Sequence, residues 1–360
     1  MKIADIIRFR LQLQQISSSI FREPSSLLSW LGAVQAQDYH GGKWAMGLRL
    51  PGITDADIEQ QIADRRIVRT WSLRGTLHFM AAGDVRWMLG LLQPRLLKLQ
   101  GAQFRNLGMD AAFFKKSHAG LVDILGETGP LTRSELKIQL GKKKIPTHEM
   151  RINFILWKAA TDRLICLGPR KGKEFTYTLL GEWVPQQSQI MQDEALAKLT
   201  LKYFSSRGPA NLQDFGWWSG LTAAEVRNGI ALLGNQLQKI AYNGQPYWMP
   251  ADMPDEKPAG HAIYLLPGFD EYLVGYKDRS AALREEHVSL VMGTGNGVFG
   301  NTLLVNGRAQ ATWKRQLKRD SVVIQTKPFS GLKKTWMPGL RKAVKRYEEF
   351  LGLSSSSILL

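Results

Sequence analysis

Leu164-Ile165-Cys166-Leu167-Gly168-Pro169-Arg170-Lys171-Gly172-Lys173-Glu174-Phe175-Thr176-Tyr177-Thr178-Leu179-Leu180 reads as two strands, Leu164 to Leu167 and Phe175 to Leu180, flanking a turn with a basic tip. Just upstream, Pro146-Thr147-His148-Glu149-Met150 opens a helix in which Ile152, Ile155, Leu156 and Ala159 recur at helical spacing. Before that, Gly129-Pro130-Leu131-Thr132-Arg133-Ser134-Glu135-Leu136 reads as a loop and a Thr-capped helix. Helix, capped helix, second helix and two-stranded wing together make a winged helix.

The plan recurs on both sides of this stretch. Gly52-Ile53-Thr54-Asp55-Ala56-Asp57-Ile58 starts a helix capped by Thr54, and Gly220-Leu221-Thr222-Ala223-Ala224-Glu225-Val226 copies it. Gly208-Pro209-Ala210-Asn211-Leu212-Gln213-Asp214-Phe215 repeats the loop-and-cap segment of residues 129–136. Three such units occupy residues 1–110, 111–186 and 187–254. After the polar, proline-rich linker Asp252 to Pro258 the composition changes. Ala262 to Leu266 is a strand, Asn301 to Val305 and Ala309 to Trp313 flank the hairpin turn Asn306-Gly307, Val322 to Thr326 is a further strand, and Leu340 to Leu351 is an amphipathic helix. The expected fold is therefore α+β: three tandem winged-helix domains, then a small β-rich, barrel-like domain with a C-terminal helix over residues 260–353.

The chain has 360 residues and a net charge of +17, with a pI near 9.9. Such a balance is the electrostatic footprint of a polyanion binder, and by itself it does not choose DNA over RNA. The charge is uneven. From Asn306 to Arg346 there are twelve Lys and Arg against one carboxylate, Asp320, with Trp313 and Trp336 interleaved, a pattern suited to nucleic-acid contact. No signal peptide or membrane-length apolar run is legible, so no membrane partner is expected. The single cysteine, Cys166, lies in an apolar strand and suits a reducing cytosol.

The candidate chemistry lies in Val34-Gln35-Ala36-Gln37-Asp38, at the end of the first strongly apolar helical run. Two amides in an apolar setting need hydrogen-bond partners. On a continuous helix residues i and i+2 point about 200° apart. Gln35 and Gln37 converge only if the helix ends or loosens near Gln35, as the following Asp38-Tyr39-His40-Gly41-Gly42 suggests. A second constellation, Arg69 to Phe79, reads as one strand with Thr70, Ser72, Arg74, Thr76 and His78 on one side and Trp71, Leu73, Leu77 and Phe79 on the other. Its polar face is either a solvated wing or a lining of the same cleft as the glutamines.

These segments resemble the AlkZ-like winged-helix DNA glycosylases: Val34 to Asp38 with Trp44-Ala45, Arg69-Thr70-Trp71 to Gly75-Thr76-Leu77-His78, and Leu265-Leu266-Pro267-Gly268-Phe269-Asp270-Glu271-Tyr272 with Tyr276-Lys277-Asp278-Arg279. The resemblance spans almost the whole chain. It implies three winged helices and a β-barrel domain around a concave DNA-binding surface, with removal of alkylated bases and unhooking of interstrand crosslinks at N7-alkylated purines. The family's Gln-apolar-Gln catalytic motif falls here on Gln35 and Gln37. A sister branch carries aspartate at the second position, and this chain does not follow it. Asp38 reads either as negative charge near the developing cation or as a cap or turn residue. Trp71, Arg74 and His78 are candidate lining, and DNA contacts are expected from Arg170, Lys171, Lys173, Arg279, Arg308, Lys314 and Arg315.

The expected protein is a monomer acting on double-stranded DNA with alkylated bases, in the cytoplasm at the nucleoid, with no cofactor and no metal. His40, His78, His118, His148, His261 and His287 show no metal spacing. Gly293-Thr294-Gly295-Asn296-Gly297 lacks the Gly-Lys-Ser/Thr ending of a phosphate loop. No motif places a Schiff-base lysine, so the expected enzyme is a monofunctional glycosylase. Asp270, Glu271, Asp278 and Arg279 read as a structural ion-pair cluster rather than as an acid–base pair. The rival class is a non-catalytic winged-helix DNA-binding protein or transcription regulator, which needs no convergent glutamines and reads one operator sequence.

Overall fold

The computed structural model describes residues 1–186, 188, 190–252, 262–293 and 297–359. The linker expected at Asp252 to Pro258, except Asp252 itself, lies outside them, as do His261 and Thr294 to Asn296.

The chain opens with α1 (Ile3–Leu13), α2 (Pro24–Leu31), β1 (Val34–Gln35), α3 (Tyr39–Gly47), α4 (Asp55–Ala63), β2 (Ile67–Trp71) and β3 (Leu77–Ala81). The long α5 (Ala82–Asn106) leads to α6 (Ala111–Thr128), β4 (Leu131–Thr132), α7 (Arg133–Lys142), α8 (Arg151–Thr161), β5 (Ile165–Lys171), β6 (Glu174–Leu179) and α9 (Leu180–Trp183). Then come α10 (Gln192–Arg207), α11 (Leu212–Ser219), α12 (Ala223–Leu233), β7 (Leu237–Tyr242) and β8 (Gln245–Pro250). The last part holds β9 (Ile263–Leu266), α13 (Glu271–Val274), α14 (Val288–Val291), β10 (Thr302–Val305), β11 (Arg308–Leu317), β12 (Ser321–Pro328), α15 (Met337–Phe350) and β13 (Ser355–Leu359).

Capping chemistry sets the helix starts. Thr54, Thr132, Asn211 and Thr222 each accept from the backbone N–H three residues on, and Asp57, Glu135, Asp214 and Glu225 answer from that position. Each such cap is worth about 1 kcal/mol. Thr147 does not share the pattern: α8 begins at Arg151 behind Met150, although Ile152, Ile155, Leu156 and Ala159 are buried as their spacing requires. Three times a helix leads into a β-hairpin, β2–β3, β5–β6 and β7–β8, and before the first and the third that helix is a Thr-capped one.

The sheets join what the repeat divides. The first two hairpins share one six-stranded sheet, β1-β3-β2-β5-β6-β4, joined where Arg69 meets Leu167. The hairpin β7–β8 forms its own sheet, bridged by Ala210 at Trp248, and the last strands form an open half-barrel, β13-β12-β11-β10-β9. Its edge strand β13, parallel to β12, comes after the C-terminal helix, where the sequence pattern gives no strand signal. Trp313, a nucleic-acid contact by its place in the sequence, is instead a core residue of this sheet, 3% exposed with its indole N–H on Leu266 O at 2.8 Å. One continuous apolar cluster runs through all these parts.

The half-barrel's helix seats directly on the first unit. Trp44 of α3 packs against Tyr347 and Phe350 of α15, with ring centroids 4.7 and 5.1 Å apart, and donates to Leu265 O. A Cβ on Gly47 would overlap the Phe350 ring. Gly47→Ala is therefore expected to cost about 1–3 kcal/mol by overpacking. Urea unfolding checks this; Phe350→Leu in the same chain should recover part of the loss, and an unchanged midpoint for Gly47→Ala would exclude the contact.

Candidate active site

The apolar run that carries the glutamines ends sooner than its composition suggests. Helix α2 stops at Leu31, Gly32 turns the chain with φ +77°, and Val34 and Gln35 pair with Phe79 and His78 as an edge strand. The expected frayed helix end is thus a short strand that ends at Gln35, and the extended chain carries on to Gln37 just beyond it. Ala36 N–H still joins the ladder at Leu77 O, and Gln37 Oε1 accepts from Leu77 N–H at 3.2 Å. Gln35 is 8% exposed and Gln37 is exposed.

An edge strand leaves backbone groups facing away from the sheet, and those need partners. Gln35 N–H donates to Glu271 Oε1 at 3.1 Å. Glu271 is fully buried and takes three further bonds on Oε2: Arg207 Nη2 at 2.6 Å, Arg207 Nε at 3.2 Å and the Trp218 indole N–H at 2.9 Å. Arg207, also fully buried, donates onward to Leu31 O and Ala33 O. Burial alone would raise the Glu271 carboxyl, but Arg207 together with His78 and Arg74 outweighs it and holds the group below its ordinary value. On the other face of the sheet Arg69 grips Ala36 O through Nε and Nη2, at 3.1 and 2.9 Å, and lies over Phe175 and Tyr39. Two buried guanidiniums therefore clamp the segment from opposite sides.

The segment from Arg69 to Phe79 is not one strand. It folds back as the β2–β3 hairpin through a short turn, Leu73 to Gly75, in which Arg74 adopts φ +57°. Folding back changes the expected faces. Thr70, His78 and Gln35 lie side by side across three strands, so they share one face, while Trp71 is turned to the other and stacks on Tyr177. Arg74 does reach the glutamine: Nη2 donates to Gln35 Oε1 at 3.3 Å, and Nη1 donates to Trp218 O. His78 is buried, its Nδ1–H donating to Thr76 O at 2.9 Å, and its Nε2 has no partner among the described residues. Asp38 occupies the N-cap position of α3, without a side-chain cap bond.

Burial, with Arg74 adding to it, pushes the His78 imidazole down to about 4. An unfolded histidine titrates near about 6.5, so between these values the unfolded chain binds a proton that the native one does not. His78 thus contributes stability that is present above about pH 6.5 and is lost as pH falls through 4, at most about 3 kcal/mol. Urea midpoints at pH 7.5 and 4.5 should fall less for His78→Gln than for the wild type; equal falls would rule this out.

Lys43 of α3 is no free nucleophile. It is buried, with Nζ 2.7 Å from Asp55 and 2.6 Å from Glu59, and Glu59 also accepts from Tyr39. Beside it His40 is held below its ordinary value by burial, then by Lys43 and by Arg315 of β11. That proximity brings the half-barrel to the flank of the site.

The expected DNA contacts fall into two groups. Strand β5 runs on to Lys171, so the hairpin tip is only Gly172-Lys173; Arg170 turns back over Tyr39 and Phe175, and Lys171 pairs with Glu135. Lys173 and Lys314 are exposed, Arg308 is half-buried, and Arg315 donates to the Tyr347 hydroxyl. Arg279 is half-buried against Trp217 and Phe299 and donates to Leu273 O. The carboxylates grouped with it separate: Asp270 pairs with Arg49, Glu271 with Arg207, and Asp278 accepts from Tyr247. Sequence reasoning misses Arg207, Trp218 and Arg69 as site residues. A buried arginine has no local pattern, and these three reach the glutamines only through long-range packing.

Among the described residues no helix is long and apolar enough to cross a membrane, and no three His, Cys, Asp or Glu side chains meet as a metal set. The chain is 25% identical over 331 residues to an interstrand DNA cross-link repair glycosylase of Streptomyces sahachiroi, covering 86% of each sequence. The solved structure of the Streptomyces sahachiroi DNA glycosylase AlkZ superposes with a TM-score of 0.82 at 23% identity, over 99% of both chains. The family described as DNA glycosylase AlkZ-like matches residues 28–350, so this chain, with its clamped Gln-Ala-Gln strand, belongs to the AlkZ-like DNA glycosylases.

Proposed function

We propose that this protein hydrolyses the N-glycosidic bond of N7-alkylated purines in double-stranded DNA and unhooks interstrand crosslinks made through such bases; its Streptomyces relative is named an interstrand DNA cross-link repair glycosylase. The observation that carries the reading is the pair Gln35 and Gln37, fixed at one strand edge beside Asp38 and Arg74. A purine alkylated at N7 is cationic and departs as a neutral base, so no strong general acid is needed. What remains is to hold a water near C1′ and to tolerate an oxocarbenium-like sugar, work of positioning and electrostatics. An amide serves both ends, accepting from the water and donating to a sugar or phosphate oxygen. Because an amide is a poor base, the rate depends on the quality of the leaving group, and unmodified purines survive.

The three helix-and-hairpin units act in this reading as winged helices, over residues 1–110, 111–186 and 187–254, and the half-barrel, expected over 260–353 and extended by β13 to Leu359, faces the same DNA. Lys173, Lys314 and Arg315 supply phosphate contacts. With Lys43 held by two carboxylates, no Schiff base forms there, and a monomeric, monofunctional enzyme leaves an abasic site.

The test is single-turnover incubation with a duplex carrying one N7-methylguanine, followed by alkaline cleavage. The Gln35→Ala, Gln37→Ala double variant is expected to lose roughly 100- to 1,000-fold in rate, the scale of losing preorganised hydrogen bonds at a reacting centre, with duplex affinity retained. A double variant as fast as wild type would reject the site. Wild type that cuts neither this duplex nor a crosslinked one would leave a DNA-binding regulator as the better reading.

A further inference from the structure

We propose that Arg74 is a positioning residue that turns the Gln35 carbonyl inward, so that Gln35 meets the substrate with its NH₂ and works as a hydrogen-bond donor, while the water is left to Gln37. This deepens the reading of Gln35 and Gln37 as the site and rests on it.

A guanidinium carries donors only, so of the two ends of an amide it pairs with the oxygen alone. Arg74 Nη2 stands 3.3 Å from Gln35 Oε1. The reversed amide would set NH₂ against N–H, with Gln35 buried and Arg74 half-buried. The backbone of each partner is fixed. Arg74 is held at its own backbone by the left-handed turn at φ +57° and at its far end by Trp218 O. Gln35 is held by its pairing with His78 and by Glu271 on its N–H. The same Trp218 that fixes Arg74 donates its indole N–H to Glu271, so one residue of α11 sets both groups that set Gln35.

The contact also has an electronic effect. An amide oxygen bonded to a cation in a buried site is a weaker acceptor for the proton of a water, and its NH₂ becomes a stronger donor. Gln37 is in the opposite condition. Among the described residues its oxygen meets only the neutral N–H of Leu77, the side chain is exposed, and an amide oxygen has a second lone pair to offer. The two glutamines therefore divide the work: Gln35 donates to an acceptor atom of the substrate nucleotide, a phosphate or sugar oxygen or the departing base, and Gln37 accepts from the attacking water.

Gln35→Glu keeps the acceptor that Arg74 needs and nearly the same volume, and exchanges the NH₂ for a carboxylate oxygen that donates nothing and adds a negative charge. On the N7-methylguanine duplex its single-turnover rate is expected to fall on the order of 100-fold, as for Gln35→Ala. Arg74→Ala is expected to lose at least tenfold in that rate with duplex Kd within twofold of wild type, and Arg74→Lys, which still donates to the oxygen, to recover part of it. A second measurement is independent of turnover. In ¹⁵N-glutamine-labelled protein, the Gln35 NH₂ resonances are expected to shift on adding a duplex that bears a tetrahydrofuran abasic analogue, and to shift less in Arg74→Ala. Gln35→Glu within threefold of wild type, beside an inactive Gln35→Ala, would make the carbonyl the working group and overturn the proposal while leaving the site intact. NH₂ resonances indifferent to the duplex would overturn it as well. A fully active Gln35→Ala would instead remove Gln35 from the site altogether.

Discussion

Glu271→Ala is expected to lower the unfolding free energy by about 3–5 kcal/mol, because it strands the buried guanidinium of Arg207 without its counter-charge. Both side chains are fully buried, and the four bonds that Glu271 accepts come from three separate parts of the chain, Gln35, Arg207 and Trp218. The loss reaches the site as well as the fold. Without Glu271 the outward N–H of Gln35 has no partner, and strand β1 has only two residues with which to hold its register on β3. Glu271→Gln keeps an acceptor for Gln35 and should cost less, about 1–3 kcal/mol, since the geometry survives and the charge does not. Urea unfolding at pH 7.5 separates the two variants. A Glu271→Ala protein within 1 kcal/mol of wild type, on the scale of an exposed pair, would show that the carboxylate does not hold the segment.

The neighbouring carboxylate should behave alike for a different contact. Asp270 receives Arg49 in a bidentate pair, Nη1 to Oδ2 at 2.8 Å and Nη2 to Oδ1 at 2.9 Å, and both side chains are out of solvent. Arg49 uses its remaining donors on Gln14 O, Gln14 Oε1 and Ala45 O, so it ties α1, α3 and the loop before α13 together. Asp270→Ala is expected to cost about 3–5 kcal/mol, again as a charge left buried and unpaired. Removing the orphan should relieve part of this. The double variant Arg49→Met, Asp270→Ala is expected to be more stable than Asp270→Ala alone, and the coupling between the sites is the quantity to measure. If the double variant loses the sum of the two single losses, the pair is not what joins these elements.

Both carboxylates belong to what the sequence marks only as a charged cluster. Asp270 and Glu271 are adjacent, yet they serve different arginines, Arg49 and Arg207, far apart in the chain. No spacing rule connects them, because the interaction depends on where three segments cross. The same limit explains the strand at Gln35. Its apolar flank fits a helix as well as a strand, and the choice is made by the backbone of Leu77 to Phe79, which offers a ladder. Trp313 sits in a run of cations and reads as surface, and only the packing of α15 on the half-barrel buries it.

Other features are written locally and can be read locally. The Thr54, Thr132 and Thr222 caps and the Asn306-Gly307 turn depend on atoms three residues apart or fewer, so sequence determines them wherever the chain goes. Composition likewise determines the basic character of the chain, and the order of its motifs determines the family. Tertiary structure alone decided that Gln35 stands on a strand edge with Gln37 just beyond it, that Arg74 rather than Trp71 reaches Gln35, and that Glu271, paired with Arg207, holds the Gln35 backbone. The reason is physical: a cap or a tight turn is satisfied by its own neighbours, whereas an edge-strand N–H or a buried charge must find its partner in a distant segment, and that partner is set by how the whole chain packs.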